Sequence, residues 1–151
     1  MDIKKEKNIN SNELEKYKRI LDCMCESVWM WNDEEETIYV VEGPIDSLFL
    51  KNAIAVSGSN LEYAEELFDI HKIVLVFDNE PRNKEILRLM NHAIDNHFSI
   101  CIWPEMIVEK DINDMILSGF TPEDIQDIIE KHTFVNLRAK MEFINWKKLD
   151  I

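Results

Sequence analysis

The feature that most constrains the fold is an alternation of short apolar runs with segments of helical spacing. The runs lie at 37–42, 53–56, 73–77 and 98–102, and most of their residues are β-branched or otherwise apolar. Runs that are apolar throughout, rather than alternating with polar residues, are typical of strands buried on both faces. The sequence therefore predicts an α/β fold with a four-stranded parallel sheet flanked by helices. In such sheets, ligands bind outside the carboxyl ends of the strands.

Helical patterns begin and end this predicted core. Residues 1–36 are expected to form a polar tail and an amphipathic helix, which Ser11 or Asn12 would cap. The core is expected to span residues 37–118, and Gly119 is placed to end its last helix.

A C-terminal helical extension is expected over residues 119–151. Its first helix would begin at Thr121, a hydroxyl cap, with Pro122 at the first helical position. A second helix is expected over 134–149, with Leu137, Met141, Ile144 and Trp146 on one apolar face.

Charge and hydropathy exclude several classes of function. The chain has 151 residues and a formal net charge of −13. This charge argues against binding nucleic acid by neutralising its phosphates, unless a metal ion or a basic partner offsets the repulsion. No apolar run approaches the roughly 18 residues of a membrane span, and the first residues have no signal-peptide pattern. We therefore expect a soluble, cytoplasmic protein that does not bind membranes.

The cysteines do not have the spacing of a zinc site. Cys23 and Cys25 are separated by one residue, and Cys101 lies far from both. Zinc ligands in structural sites come in pairs with wider spacing and require four donors. Reduced thiols and no zinc are therefore expected.

Carboxylates follow two of the predicted strands where the strands end. Glu42 follows the first strand, and Asp78 and Glu80 follow the third. Residues two apart in an extended segment point the same way, so Asp78 and Glu80 are expected to share a face. Two close carboxylates repel unless a cation lies between them, and Mg²⁺ suits such ligands. Simpler interpretations stay open: Glu42 could face solvent, and Asp78 or Asn79 could cap a helix that starts near Pro81.

A third acidic group follows the fourth strand. It contains Lys110, Asp111, Asn113 and Asp114. Taken alone, this segment is typical of a capped helix start. Because the carboxyl ends of parallel strands meet at one edge of a sheet, the three acidic groups together predict a single cleft.

The order of these groups resembles the Toprim domain, a Rossmann-like fold of bacterial-type primases, type IA and type II topoisomerases and several nucleases. The resemblance rests on Glu-Gly after the first strand, Asp-x-Glu after the third and Lys-Asp-x-Asn-Asp after the fourth. Two positions depart from the usual pattern. Glu80 stands where an aspartate is usual, and Asn113 stands where many members carry a second acid.

The resemblance narrows to the C-terminal catalytic portion of the DNA primases of large tailed phages. It is carried by YVVEGPIDSLFLKNAIAVSG, VFDNEPRNKEI, KDINDMI and TFVNLRAKMEFINWKK, and it covers roughly residues 37–148. It implies metal-dependent nucleotidyl transfer for RNA primer synthesis, with Mg²⁺ or Mn²⁺ as cofactor and nucleoside triphosphates as substrates. It implies two partners, the remaining primase portion in cis or in trans and a replicative helicase, in the cytoplasm of a bacterial host.

The resemblance also implies roles for individual residues. Glu42, Asp78 and Glu80 would be catalytic, with Glu42 acting in proton transfer or as a metal ligand. The metal would be held by these three residues and Asp111. Contacts to the nucleotide or its phosphates would come from Lys110, Arg82, Gly43 and Gly58.

Two parts of such a primase have no counterpart in this sequence. They are a zinc-binding module and a basic part that holds the template. The chain is therefore expected to need the rest of a primase for activity and to bind nucleic acid only weakly alone. Two alternatives stay open: a stand-alone Toprim metal-dependent nuclease, and a non-catalytic module that docks on a helicase or primase.

Overall fold

A five-stranded sheet with helices on both faces forms the centre of the computed structural model, which describes residues 12, 15, 16, 18, 19, 37–56, 64, 65 and 68–150. The strands are β1 (Ile38–Val41), β2 (Ala53–Ala55), β3 (Ile73–Val76), β4 (Ser99–Cys101) and β5 (Thr133–Phe134). The helices are α1 (Pro44–Ser47), α2 (Lys84–Asp95), α3 (Ile112–Ser118), α4 (Pro122–Lys131) and α5 (Asn136–Trp146), and a 3-10 turn (Ile70–Lys72) precedes β3. The strand order is β2-β1-β3-β4-β5, with β1 to β4 parallel.

The prediction of four strands was wrong, because β5 adds an antiparallel strand next to β4. Ile100 lies opposite Phe134, and Cys101 lies opposite Thr133. A strand of two residues has no periodic signal in the sequence, and its pairing with β4 is what makes it a strand. The last helix is correspondingly shorter than predicted and begins at Asn136.

The sheet is buried on both faces, as its continuously apolar strands predicted. On one face, Val40 and Leu75 pack in a cluster with residues of α2 and α5. On the other face, Val41 and Val76 pack with residues of α3 and α4. Successive strand residues point to opposite faces, so both faces need apolar side chains to be covered by helices.

Helix α2 begins at Lys84, later than the sequence predicted. The side chain of Asn83 accepts hydrogen bonds from the backbone N–H groups of Glu85 and Ile86 and so caps the helix. Pro81 therefore lies in the turn before the helix and not in its first turn.

Two other predicted helix boundaries are confirmed. Gly119 ends α3 with a φ of 118°, a left-handed conformation that favours glycine. Thr121 begins α4 with a capping box, in which its hydroxyl accepts from Asp124 N and the Asp124 carboxylate accepts from Thr121 N. Pro122 takes the first helical position, as expected.

The N-terminal region is described at residues 12, 15, 16, 18 and 19, which are helical. Arg19 donates hydrogen bonds to the carbonyl oxygens of Ile116 and Phe120, at the end of α3. Cations near a helix C-terminus interact favourably with its unpaired carbonyl groups.

Several predictions concern residues outside those that the structure describes. They are the polar tail through Ser11, the thiols Cys23 and Cys25, and Gly58. In the described part of the chain, Cys101 is fully buried, and burial raises the pKa of its thiol. No helix among the described residues combines the length and the apolar character that a membrane crossing requires.

The apolar face predicted for α5 is exposed at three of its four residues, and only Trp146 is buried. Leu137, Met141 and Ile144 are 74%, 54% and 57% exposed, whereas Phe143 and Trp146 on the opposite side are buried in the core. Both sets of residues recur at helical spacing, so the periodicity of the sequence does not decide which one is buried.

Phe143→Ala is expected to lower the free energy of unfolding by about 3–5 kcal/mol, because it leaves a cavity in the core. Chemical denaturation would measure the loss. The matched control is Ile144→Ala on the exposed side of the same helix, which is expected to change stability by less than about 0.5 kcal/mol. Equal losses from the two variants would contradict this assignment of faces.

Candidate functional site

The carboxyl ends of β1 and β3 bring three of the predicted site residues together. Between these strands the sheet has a topological switch point, since β2 lies on one side of β1 and β3 on the other. Open α/β sheets bind ligands at such points. Glu42 follows β1, and Asp78 and Glu80 follow β3. Burial raises the pKa of Glu42, and the charges of Asp78 and Glu80 raise it further.

Asp78 lies at the centre of this acidic cluster. Burial raises its pKa to about 6, the charges of Asp111 and Glu80 contribute in the same direction, and the charge of Lys110 lowers it. Lys110 Nζ lies 3.9 Å from Asp78 Oδ2, which is a long distance for an ion pair. Asp78 does not cap α2, because Asn83 does. One half-exposed ammonium group thus faces several carboxylates, and the cluster keeps a negative charge.

Asp111 is the N-cap of α3. Its Oδ1 accepts a hydrogen bond of 2.8 Å from Asp114 N, as the simpler interpretation of this segment held. Its charge also raises the pKa of Asp78, so the carboxylate lies near the cluster as well. Capping uses one carboxylate oxygen, and Oδ2 is left for other contacts.

Asp46 belongs to the cluster, although the sequence analysis gave it no role. It is 8% exposed, and its Oδ1 accepts a hydrogen bond of 2.7 Å from Asn113 N. Burial raises its pKa to about 7, with contributions from Asp111 and Asp78. The sequence indicated a place in the cluster only by spacing. Asp46 comes four residues after Glu42 and lies on the short helix α1, which begins after Glu42.

The position of Asp46 favours a glycine at residue 43. A Cβ atom at residue 43 would clash with the Asp46 carboxylate. Glycine therefore allows the buried acid to lie directly against the backbone after β1. This packing explains the glycine independently of any phosphate contact.

Asn79 connects the cluster to the loop that follows β4 and to α5. Its side-chain amide donates to Ile107 O at 2.9 Å and to Glu109 O at 3.0 Å, and its backbone N–H donates to Lys110 O. Its Oδ1 accepts from Trp146 Nε1 at 3.1 Å. No local pattern in the sequence indicates these contacts, because every partner is distant along the chain.

The other predicted phosphate-binding residues lie around the cluster. Lys110 is close to Asp78, as described above, and Arg82 is exposed in the turn between β3 and α2. Gly43 follows Glu42 directly. Gly58 is outside the described residues, so its predicted contact stays a prediction.

The donor set partly fits a hard divalent cation. In the ranges that the structure describes, no group of three or more Asp, Glu, His or Cys side chains is close enough to form a ready metal site. Two buried oxygens, Glu42 Oε1 and Asn113 Oδ1, nevertheless have no hydrogen-bond partner. Buried polar atoms normally have a hydrogen-bond partner. Both oxygens are also of the kind that serves as a ligand to Mg²⁺.

The fold and the acidic cluster define an α/β domain with carboxylates at its topological switch point. No family model matches the chain. Over 114 residues, 74% of the chain, it is 37% identical to the DNA primase of Enterobacteria phage T4. The chain spans about a third of the length of that relative, 33%. This similarity shows a primase-like relationship, as the motifs had predicted.

Without metal, the free energy of unfolding is expected to fall as the pH rises from about 4 to 7. An unfolded aspartate releases its proton near pH 4, whereas folded Asp78 and Asp46 have pKa values raised to about 6 and about 7. The folded state thus binds more protons in this window, so stability is lost as the pH rises. Asp78→Asn is expected to raise the melting temperature at neutral pH in chelator and to reduce this pH dependence.

The control for this comparison is Asp150→Asn, which removes one charge at an exposed position. It is expected to leave the pH dependence unchanged, because that charge lies outside the cluster. A lower melting temperature for Asp78→Asn in chelator would contradict the electrostatic description of the site.

Asn79→Ala is expected to lower the free energy of unfolding by about 1–3 kcal/mol, because it leaves part-buried backbone carbonyls and an indole N–H without partners. Urea denaturation would measure the loss. Asn145→Ala is the control, since Asn145 is exposed on α5, and it is expected to be nearly neutral. A neutral Asn79→Ala would show that these contacts do not hold the loop in place.

Proposed function

We propose that the chain is the Toprim catalytic portion of a phage-type DNA primase and takes part in nucleotidyl transfer for RNA primer synthesis. The observation that carries this proposal is the cluster of half-buried carboxylates at the switch point between β1 and β3. The pKa values of Glu42, Asp46 and Asp78 are all raised there. Groups with perturbed pKa values concentrate at functional sites. The similarity to a phage primase supports nucleotidyl transfer as the reaction at this site.

Glu42, Asp78, Glu80 and Asp111 would hold Mg²⁺ or Mn²⁺ in this function. The buried Oδ1 of Asn113 offers a neutral oxygen where many Toprim domains carry an acid. When bound, the metal would neutralise charge on the triphosphate and on the phosphorus during transfer. A cation here would also relieve the mutual repulsion that raises the carboxylate pKa values.

Glu42 is suited to a second task, because its pKa is raised. A carboxylate whose pKa is nearer neutrality is a better general base than one near pH 4. We assign to Glu42 either removal of the proton from the attacking hydroxyl or metal ligation. Both roles use the Oε1 atom that has no hydrogen-bond partner.

Lys110 and Arg82 would bind phosphate oxygens. Lys110 is half-exposed beside Asp78, so its ammonium group can turn toward a phosphate once a metal ion takes over the charge of that carboxylate. Arg82 stands exposed two residues beyond Glu80, within the same turn. Both are cations at the rim of an otherwise acidic site.

The chain would act together with the rest of a primase, in cis or in trans, and with a replicative helicase. It spans about a third of its relative, and its net charge of −13 opposes binding to a template strand. The rest of the primase would supply a basic surface that holds the template strand next to the acidic cluster.

A chimera tests this function. The region of this chain that matches the phage T4 DNA primase would replace the corresponding region of that enzyme. Primer synthesis on single-stranded DNA is expected to be retained, and Asp78→Asn in the chimera is expected to reduce it at least about a hundredfold, because even loss of a residue that only supports a metal ligand costs about 10–100-fold. A folded chimera without primer synthesis would contradict the proposal.

Experiments on the isolated chain distinguish the primase function from the nuclease and from the non-catalytic docking module. Mn²⁺ binding, followed by paramagnetic broadening of NMR signals, is expected at millimolar metal, with loss in Asp78→Asn and not in Asp150→Asn. Absence of Mn²⁺ binding would contradict both catalytic hypotheses, the primase and the nuclease. Metal-dependent cleavage of DNA or RNA that Asp78→Asn abolishes would favour the nuclease instead.

A further inference from the structure

A cleft of about 520 Å³ lies beside the acidic cluster, between the end of β4, β5 and the C-terminal part of α5. We propose that this cleft binds the base of a nucleoside triphosphate whose phosphates lie at the acidic cluster. The inference rests on the proposed function and adds to it a site for the base. The volume is in the range of small-molecule sites.

The inner wall of the cleft is apolar and aromatic. Trp103, Trp146 and Phe134 line it together with Ile102 and Ile107. The two indole N–H groups are already used, since Trp103 donates to Phe77 O and Trp146 donates to Asn79 Oδ1. Trp103 and Trp146 are 3% and 9% exposed, so the small part of each ring that borders the cleft is carbon and gives the wall an apolar surface for a flat ligand.

Polar groups stand at defined places around this wall. His132 Nδ1 lies 2.8 Å from Ile128 O, and a carbonyl oxygen accepts, so Nδ1 carries the hydrogen. In the neutral ring, Nε2 is then a hydrogen-bond acceptor. Glu105, Asn145 and Lys148 are exposed residues that also line the cleft. An apolar slot with a few polar groups is the usual construction of a site for a nucleobase-sized ligand.

The position of the cleft suits a ligand that has an aromatic group at one end and a metal-bound phosphate group at the other. Asn79 lines the cleft, and its two chain neighbours, Asp78 and Glu80, belong to the acidic cluster. Along the chain, a single residue therefore lies between a slot for an aromatic group and carboxylates suited to a metal–phosphate group. A nucleoside triphosphate with its divalent cation has these two ends joined through a ribose.

A free nucleotide fits the charge of the protein better than a nucleic-acid strand does. A strand brings many phosphates toward a chain of net charge −13, whereas a triphosphate brings its charge with a bound cation. Val108, which lines the cleft, is 83% exposed, so the mouth of the cleft is open to a ligand that diffuses in.

Calorimetry with two ligands tests this proposal. Mg²⁺·ATP carries both ends, and Mg²⁺·tripolyphosphate carries only the phosphate end. The intact chain is expected to bind ATP at least about tenfold more tightly than tripolyphosphate, since only ATP carries a base that can contact the aromatic wall. The NMR signals of the Trp103 and Trp146 indole N–H groups are expected to shift with ATP and with adenosine, and not with tripolyphosphate.

Val108→Glu and Met106→Glu form a matched pair of variants. Both residues are exposed on the same loop, at 83% and 79%, but only Val108 lines the cleft. Both variants add the same charge, and neither removes a core side chain. Val108→Glu is expected to reduce ATP affinity to that of tripolyphosphate, whereas Met106→Glu keeps the preference for ATP.

Each contrary result has a distinct meaning. Equal affinities for ATP and tripolyphosphate would overturn the base site and leave the proposed function standing. Binding of neither ligand would overturn both. Preferential binding of a short single-stranded oligonucleotide in the cleft, lost in Val108→Glu, would replace the nucleotide with a template strand and overturn the proposal as stated.

Discussion

The hydrogen bonds of Asn79 are the interaction on which the arrangement of the site depends. This residue stands between two carboxylates at the end of β3, and its four bonds reach the loop after β4 and the last helix. The loop leads to Lys110 and Asp111, so its position decides where these charges stand. A backbone carbonyl accepts along defined directions, and three such bonds to one residue leave the loop little freedom. The acidic edge is thus held by a neutral side chain.

A second constraint comes from like charges in a half-buried place. Asp46 and Asp78 are less exposed than surface acids usually are, and burial is the largest cause of their raised pKa values. Folding therefore places negative charges where water screens them poorly, which costs stability at neutral pH. Functional sites commonly carry such a cost. Lys110 offsets a small part of it, and a divalent cation would offset more.

The relation of the cluster to the neighbouring cleft follows from the same geometry. Two adjacent residues after β3 have different contacts: the charge of Asp78 interacts with the other acids, whereas Asn79 accepts a hydrogen bond from Trp146 and lines the cleft. An acidic and an aromatic surface therefore border each other at the end of one strand.

The sequence by itself determined the strands β1 to β4, the end of α3, the start of α4 and the candidate acids at the sheet edge, because these follow from local pattern and from strand order. Tertiary structure alone decided the fifth strand, the buried face of α5 and the roles of Asp46 and Asn79. Each of these depends on partners distant along the chain, and a local pattern carries no record of them. Periodicity showed that α5 has apolar faces, but only packing against the sheet decided which one is buried.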